Sequence, residues 1–178
     1  KNKKTYIGSC RHSDICTFSL HPLKSITSGE GGLITTNNNK LYQKIKTLRS
    51  HGFKKKLNHW DFKLDYPGFN YRLSDINSAL ACSQLKKLEL FVKKRALIAN
   101  KYIDYFKDSK IFNVRNANKS IYSSWHLFIL NINFKYLRTN KNKFLKYFLK
   151  KNIIGQQHYI PIYNFKFYKK IKKKNFPN

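Results

Sequence analysis

Two rhythms of apolar and polar positions run along the chain. "DICTFSL", residues 14 to 20, and "GLITTN", residues 32 to 37, are short runs of β-branched and aromatic side chains, and each predicts a strand. A loop of Ser, Thr, Gly and one Pro joins them. Downstream, Leu41, Ile45 and Leu48 recur at spacings of four and three, the signature of one helix face, and His51-Gly52 supplies a stop signal. Strand, loop, strand and helix make an α/β beginning.

Residues 53 to 71, "FKKKLNHWDFKLDYPGFNY", hold many aromatics and turn formers but no sustained period. They predict a long ordered excursion, the kind of loop that reaches a site or a partner. Ser74 can cap a helix running to about residue 107, with Ile76, Leu80, Leu88, Ala99, Tyr102 and Phe106 on its apolar face and a kink along its length. After Asp108 the texture changes. "IYSSWHLFILNINF" predicts one or two strands, residues 140 to 151 an amphipathic helix, "IGQQHYIPIY" a strand entering a loop, and "FYKKIKKKNFPN" a basic helix or a disordered end. The expected organisation is two domains, 1–107 and 108–178, without internal repeats.

Composition changes this picture in one respect. Hydrophobic residues at 41% and aromatics at 16% place the chain among folded proteins. The charge is unusual, with 37 Lys plus Arg against 8 Asp plus Glu leaving +29, enough to attract polyanions without specificity. A basic nucleic-acid-binding module is therefore a second class of reading. Against it, the lysines run from Lys1 to Lys174 among many Asn and Ile, and no RNP1 run, zinc-finger spacing or heptad-bearing basic region sharpens it. Cys10, Cys16 and Cys82 lack C-x-x-C spacing, so neither a disulfide framework nor a metal site is signalled. No apolar run approaches the roughly 18 residues of a membrane span, and the basic start lacks the apolar stretch of a signal peptide. A cytoplasmic location without membrane partners is the expectation.

"SLHPLKSITSGEGG", residues 19 to 32, carries the candidate chemistry. Pro22 biases His21 toward extended backbone, which puts Lys24 just past a strand end. Loops beyond strand ends are common ligand sites in α/β sheets, and "SGEGG" allows close backbone approach. Ser19, Ser25, Thr27 and Ser28 offer hydroxyls to a phosphate, and a lysine amine is the group that forms Schiff bases with carbonyl cofactors. "GEGG" is neither G-x-G-x-x-G nor a Walker pattern. His21 reads as a hydrogen-bonded histidine or one packed beside a ligand, and Glu30 as part of a turn. On local grounds alone, one more solvated charge is the commoner reading of Lys24.

"SDICTFSLHPLKSITSGEGGLITTN", then "LRSHG", then "GFNYRLSDINSALACSQLKKL" resemble, in the right order, the DegT/DnrJ/EryC1/StrS sugar aminotransferases, and the likeness extends to "HYIPIY" at residues 158 to 163. The resemblance implies an α/β fold of the aspartate-aminotransferase type (fold type I), with an incomplete large domain and a small α+β C-terminal domain. It implies pyridoxal 5'-phosphate (PLP) as cofactor, with Lys24 as the catalytic, cofactor-bearing lysine; dehydratase relatives carry histidine there. Ser19 matches the phosphate-binding serine, and Asn70 the asparagine that reaches the phosphate from a neighbouring subunit, so a homodimer with shared sites is implied. His158 matches a substrate-side histidine, while Tyr163 stands where many relatives have a second one. The texture is nearest the pseudaminic-acid branch of the family, which implies amino transfer from glutamate to the C4 ketone of a UDP-linked 4-keto-6-deoxy-N-acetylhexosamine. No specific nucleic acid is implied.

In this family the aspartate that pairs with the pyridinium nitrogen, the ring-stacking aromatic and a Gly-Thr phosphate site precede the segment matched by "YIGSCRHSDI". Asp14 occupies the "SDI" position and does not replace that aspartate. Without a carboxylate partner PLP is a poorer electron sink. Together with the absence of any Met, this gives the expectation of the C-terminal portion of a longer enzyme, with weak cofactor binding and little activity alone. An inactive remnant of such an enzyme is the third reading.

Overall fold

The computed structural model describes residues 4–55, 60–114 and 120–168. Its contacts divide the chain into two units, Lys1–Tyr105 with Asn116–Phe128, and Phe106–Arg115 with Ile129–Asn178.

In the first unit, β1 (Cys16–Ser19) pairs antiparallel with β2 (Gly32–Thr35), Cys16 opposite Thr35 and Ser19 opposite Gly32. Both predicted strands form, each shorter than its sequence run. Next comes α1 (Asn39–Arg49), where the Asn38 side chain accepts from the N–H groups of Lys40 and Leu41, at 2.9 and 3.2 Å, and satisfies two of the first-turn donors. Leu41, Ile45 and Leu48 are its half-buried apolar positions, as the spacing predicts. The helix ends where His51 and Gly52 take positive φ, 63° and 75°, and Gly52 N–H bonds back to Thr47 O.

Residues 53 to 71 differ from the expected excursion. They contain a hairpin, β3 (Phe53–Lys55) against β4 (Phe62–Leu64), with Phe53 opposite Leu64. Its far end folds back onto the end of α1 through His51 N–H to Phe69 O, Tyr71 N–H to Arg49 O and a bridge between Ser50 and Asn70. The two backbones meet at glycines. A Cβ on Gly68 would lie 2.6 Å from Gly52 N and 2.8 Å from Leu48 O, closer than packing permits.

The long predicted helix is two helices, α2 (Asp75–Leu85) and α3 (Leu88–Phe106), separated at Lys86 and Lys87. Ser74 caps α2 by accepting from Asn77 N–H at 3.2 Å. The break offsets the two faces, so the single apolar face drawn across both does not persist. Ile76 is 83% exposed, and Leu80 and Tyr102 remain partly open to solvent. The inward positions of α3 are Leu88, Phe91, Val92, Arg95, Ala96, Ala99, Ile103 and Phe106, a clean three-and-four spacing. Among the described apolar side chains only Leu20, Val92 and Ala99 are buried.

In the second unit, β5 (Phe112–Val114) pairs antiparallel with β6 (Leu130–Ile132), and α4 (Lys141–Lys150) starts at an Asn140 cap that accepts from Lys143 N–H. Phe112, Phe134, Phe144 and Phe148 form a ring cluster around Phe144, with centroids 6.4, 5.8 and 4.2 Å from it. "IYSSWHLFILNINF" contributes only the three-residue β6, and "IGQQHYIPIY" forms no strand, running irregularly into single 3₁₀ turns at Ile162–Asn164 and Lys166–Tyr168. The basic end lies outside the described residues from position 169 onward. Cys10, Cys16 and Cys82 are free thiols, and no described helix is long and apolar enough to cross a membrane.

Candidate active site around Lys24

The loop between β1 and β2 is closed by its own polar groups. Leu20 N–H donates to Gly31 O at 2.9 Å, and Leu20 O accepts from both Ser28 N–H at 3.0 Å and the Thr27 hydroxyl at 2.9 Å. Thr27 Oγ1 in turn accepts from Gly29 N–H, and the Ser28 hydroxyl, 1% exposed, donates to Glu30 O at 2.7 Å. Buried polar groups are stable only when paired in this way. Two of the hydroxyls read as phosphate ligands are therefore committed to the loop itself, leaving Ser19 and Ser25 as the hydroxyls that face outward or stand half-buried.

Within this frame the chain turns sharply at Pro22, with Lys24 N–H bonded to His21 O at 2.9 Å. His21 Nδ1 accepts from Leu23 N–H, and its Nε2 stands 3.8 Å from Glu30 Oε1, so both residues brace the turn. α2 supports the other side. Gly31 has φ of +136°, and a Cβ there would meet Leu73 at 2.7 Å, while Asn77 Nδ2 donates to Glu30 O at 3.5 Å.

Lys24 is the exception among the lysines. Every other lysine whose side chain is described is exposed, whereas Lys24 is half-buried. Its Nζ lies 3.5 Å from His126 Nε2, in the same unit. Ser19, at the end of β1, accepts from His21 N–H at 3.3 Å and keeps its own hydrogen to donate. Asn70 is exposed at the foot of the hairpin, its Oδ1 accepting from Arg72 N–H. His158 and Tyr163 belong to the second unit. His158 is exposed, stacked on Tyr159 with ring centroids 4.5 Å apart and 3.3 Å from Gln156 Oε1, and Tyr163 is half-buried in a 3₁₀ turn. Lys24 and Ser19 thus share one hairpin. No group of His, Cys, Asp and Glu able to hold a metal ion occurs among the described residues.

Sequence reasoning missed His126. It sits inside a run read as strand, and its relation to Lys24 spans 102 positions. A histidine interrupting an aromatic run, "SSWHLF", was the only local signal.

A family profile described as the DegT/DnrJ/EryC1/StrS aminotransferase family matches residues 3–178. The chain belongs to that family. A Campylobacter jejuni UDP-4-amino-4,6-dideoxy-N-acetyl-beta-L-altrosamine transaminase is 40% identical over 161 residues, covering 90% of this chain and 42% of that protein. The Helicobacter pylori protein of the same name is 38% identical over 154 residues, 86% of this chain and 40% of its own length. The solved structure of Helicobacter pylori PseC, described as an aminotransferase involved in the biosynthesis of pseudoaminic acid, superposes with a TM-score of 0.84 at 35% identity over 93% of this chain and 44% of that one. The chain spans a little under half the length of these DegT-family relatives. The fold is the fold type I architecture of PLP-dependent transferases, present here in part.

Proposed function

We propose that this chain is the lysine-bearing part of a PLP-dependent nucleotide-sugar aminotransferase. On this reading it takes an amino group from glutamate and delivers it to the C4 ketone of a UDP-linked 4-keto-6-deoxy-N-acetylhexosamine. The observation that carries the reading is the withdrawal of Lys24, alone among the described lysines, into a loop closed by its own hydrogen bonds.

The donor set suits the cofactor. A primary amine on a half-buried side chain answers an aldehyde, and the Ser19 hydroxyl has a hydrogen to give a phosphate oxygen. PLP, when bound, supplies the electron sink for amino transfer. The protein's part is to fix where Lys24 presents its nitrogen, and the turn at His21 to Lys24 sets the backbone from which that side chain departs. We assign Lys24 to catalysis, Ser19 to the cofactor phosphate, Asn70 to the phosphate of a partner subunit in a homodimer, and His158 and Tyr163 to the sugar side. Residues 1–107 then belong to the large cofactor domain with its connecting helix, and 108–178 to the small domain, in a cytoplasmic enzyme.

The test is covalent trapping. PLP followed by borohydride, read by peptide mass spectrometry, is expected to mark Lys24 above the exposed lysines, strongly in a full-length enzyme and weakly in this chain alone. A label spread evenly over the lysines, or one retained at full strength in Lys24→Ala, refutes the assignment.

A further inference from the structure

The Lys24 amine has a second anchor that is distant in sequence. His126 Nε2 lies 3.5 Å from Lys24 Nζ, and the backbone that carries His126 is itself held. Arg95, on the inward face of α3, donates from Nη1 to Trp125 O at 3.4 Å and to His126 O at 3.3 Å. Trp125 has φ of 47°, a conformation an L-residue with a bulky side chain adopts only when its surroundings hold it there. Ser123 Oγ accepts from Trp125 N–H at 3.1 Å, and Phe128 packs between Trp125 and Tyr102 with ring centroids 6.1 and 5.0 Å away. The imidazole is therefore not a passing neighbour. Its backbone is held by α3, by a local turn and by aromatic packing, and its Nε2 faces Lys24, the one described lysine withdrawn from solvent.

Resting on the assignment of Lys24 above, we propose that His126 is the positioning residue for the Lys24 amine, holding that nitrogen in place whenever it is not covalently engaged. The pairing works in either tautomer. With the proton on Nδ1, Nε2 accepts from the ammonium; with the proton on Nε2, the imidazole donates to the neutral amine. In both cases the amine is kept near its point of use instead of sampling the rotamers open to a long flexible side chain. Arg95 acts one step further out, through the backbone of residues 125 and 126.

Competitive acetylation of the cofactor-free chain, read at each lysine by mass spectrometry, tests this without any turnover. Relative to exposed Lys63, Lys24 is expected to acetylate about fivefold faster in His126→Phe, the release of one net hydrogen bond, and to return toward the wild-type rate in His126→Gln, whose amide also pairs with an amine. Arg95→Gln is expected to raise Lys24 labelling when His126 is present and to add nothing in His126→Phe, since the two act through one contact. If His126→Phe does not fold by circular dichroism, the Arg95→Gln and His126→Gln arms decide alone. Unchanged or slower labelling of Lys24 in folded His126→Phe or Arg95→Gln, or equal effects of Arg95→Gln in both backgrounds, overturns the proposal. Faster labelling here, with a full-length enzyme that PLP and borohydride fail to mark at Lys24, supports the positioning contact and sinks the aminotransferase reading instead.

Discussion

Replacing Thr27 by Val keeps the β-branched shape and removes only the hydroxyl. That hydroxyl donates to Leu20 O and accepts from Gly29 N–H, both at 2.9 Å. Leu20 O retains Ser28 N–H at 3.0 Å, so it stays partly satisfied, while Gly29 N–H loses its partner in a half-buried place. Two bonds of about 1 kcal/mol net each set the ceiling, and solvent access at Gly29 recovers part of it, which leaves a loss of about 1–2 kcal/mol. Because the chain has two units, global unfolding is a poor reporter and local opening a better one. Amide exchange in the segment from residue 20 to 31 is expected to accelerate about 5- to 30-fold, with the β5–β6 amides unchanged. Exchange within twofold of wild type would show that the loop is held by something other than these bonds, and the argument for a preformed Lys24 turn would fail.

Gly31→Ala places a Cβ 2.7 Å from Leu73 and 3.0 Å from Ser28 Oγ at a φ of +136°. A loss of about 1–3 kcal/mol in urea-induced opening of the first unit is expected, together with weaker borohydride trapping at Lys24; a neutral midpoint would contradict the packing described. Phe144→Ala removes the centre of the ring cluster in the second unit and is expected to cost about 2–3 kcal/mol, less than a fully buried phenylalanine because Phe144 is only half-buried. Its signature is lost exchange protection in Phe112–Val114 and Leu130–Ile132 with Cys16–Ser19 unaffected, and uniform loss across the chain would refute the assignment of that cluster to one unit.

What the sequence disclosed depended on how local the cause was. α1 was legible because a three-and-four spacing and a stop signal lie within a dozen residues, Leu41 to Gly52, and agree. β1 and β2 were legible for the same reason. The hairpin of residues 53 to 64 was not, because three-residue strands are too short to display a period and no two-residue turn signal separates them. The joint between α2 and α3 was seen only as a kink, since Lys86 and Lys87 are good helix formers and nothing in them announces a stop. At the site, the lysine stood out by its neighbours in sequence. The roles of Thr27 and Ser28 did not, because a hydroxyl beside a phosphate and a hydroxyl bonded to its own loop look alike until the backbone path is known. His126 was invisible for a simpler reason: its relation to Lys24 exists only in space.

The bonds that shape the Lys24 turn join residues inside a single hairpin, from Cys16 to Thr35. A piece closed over so short a stretch needs little search, and its entropic cost of closure grows only slowly with its length. Its histidine anchor, in contrast, comes more than a hundred positions later. On a ribosome the turn that carries the amine would close well before the imidazole that steadies it has been made, so during synthesis the reactive nitrogen passes through a stage in which it has its turn but not its tether.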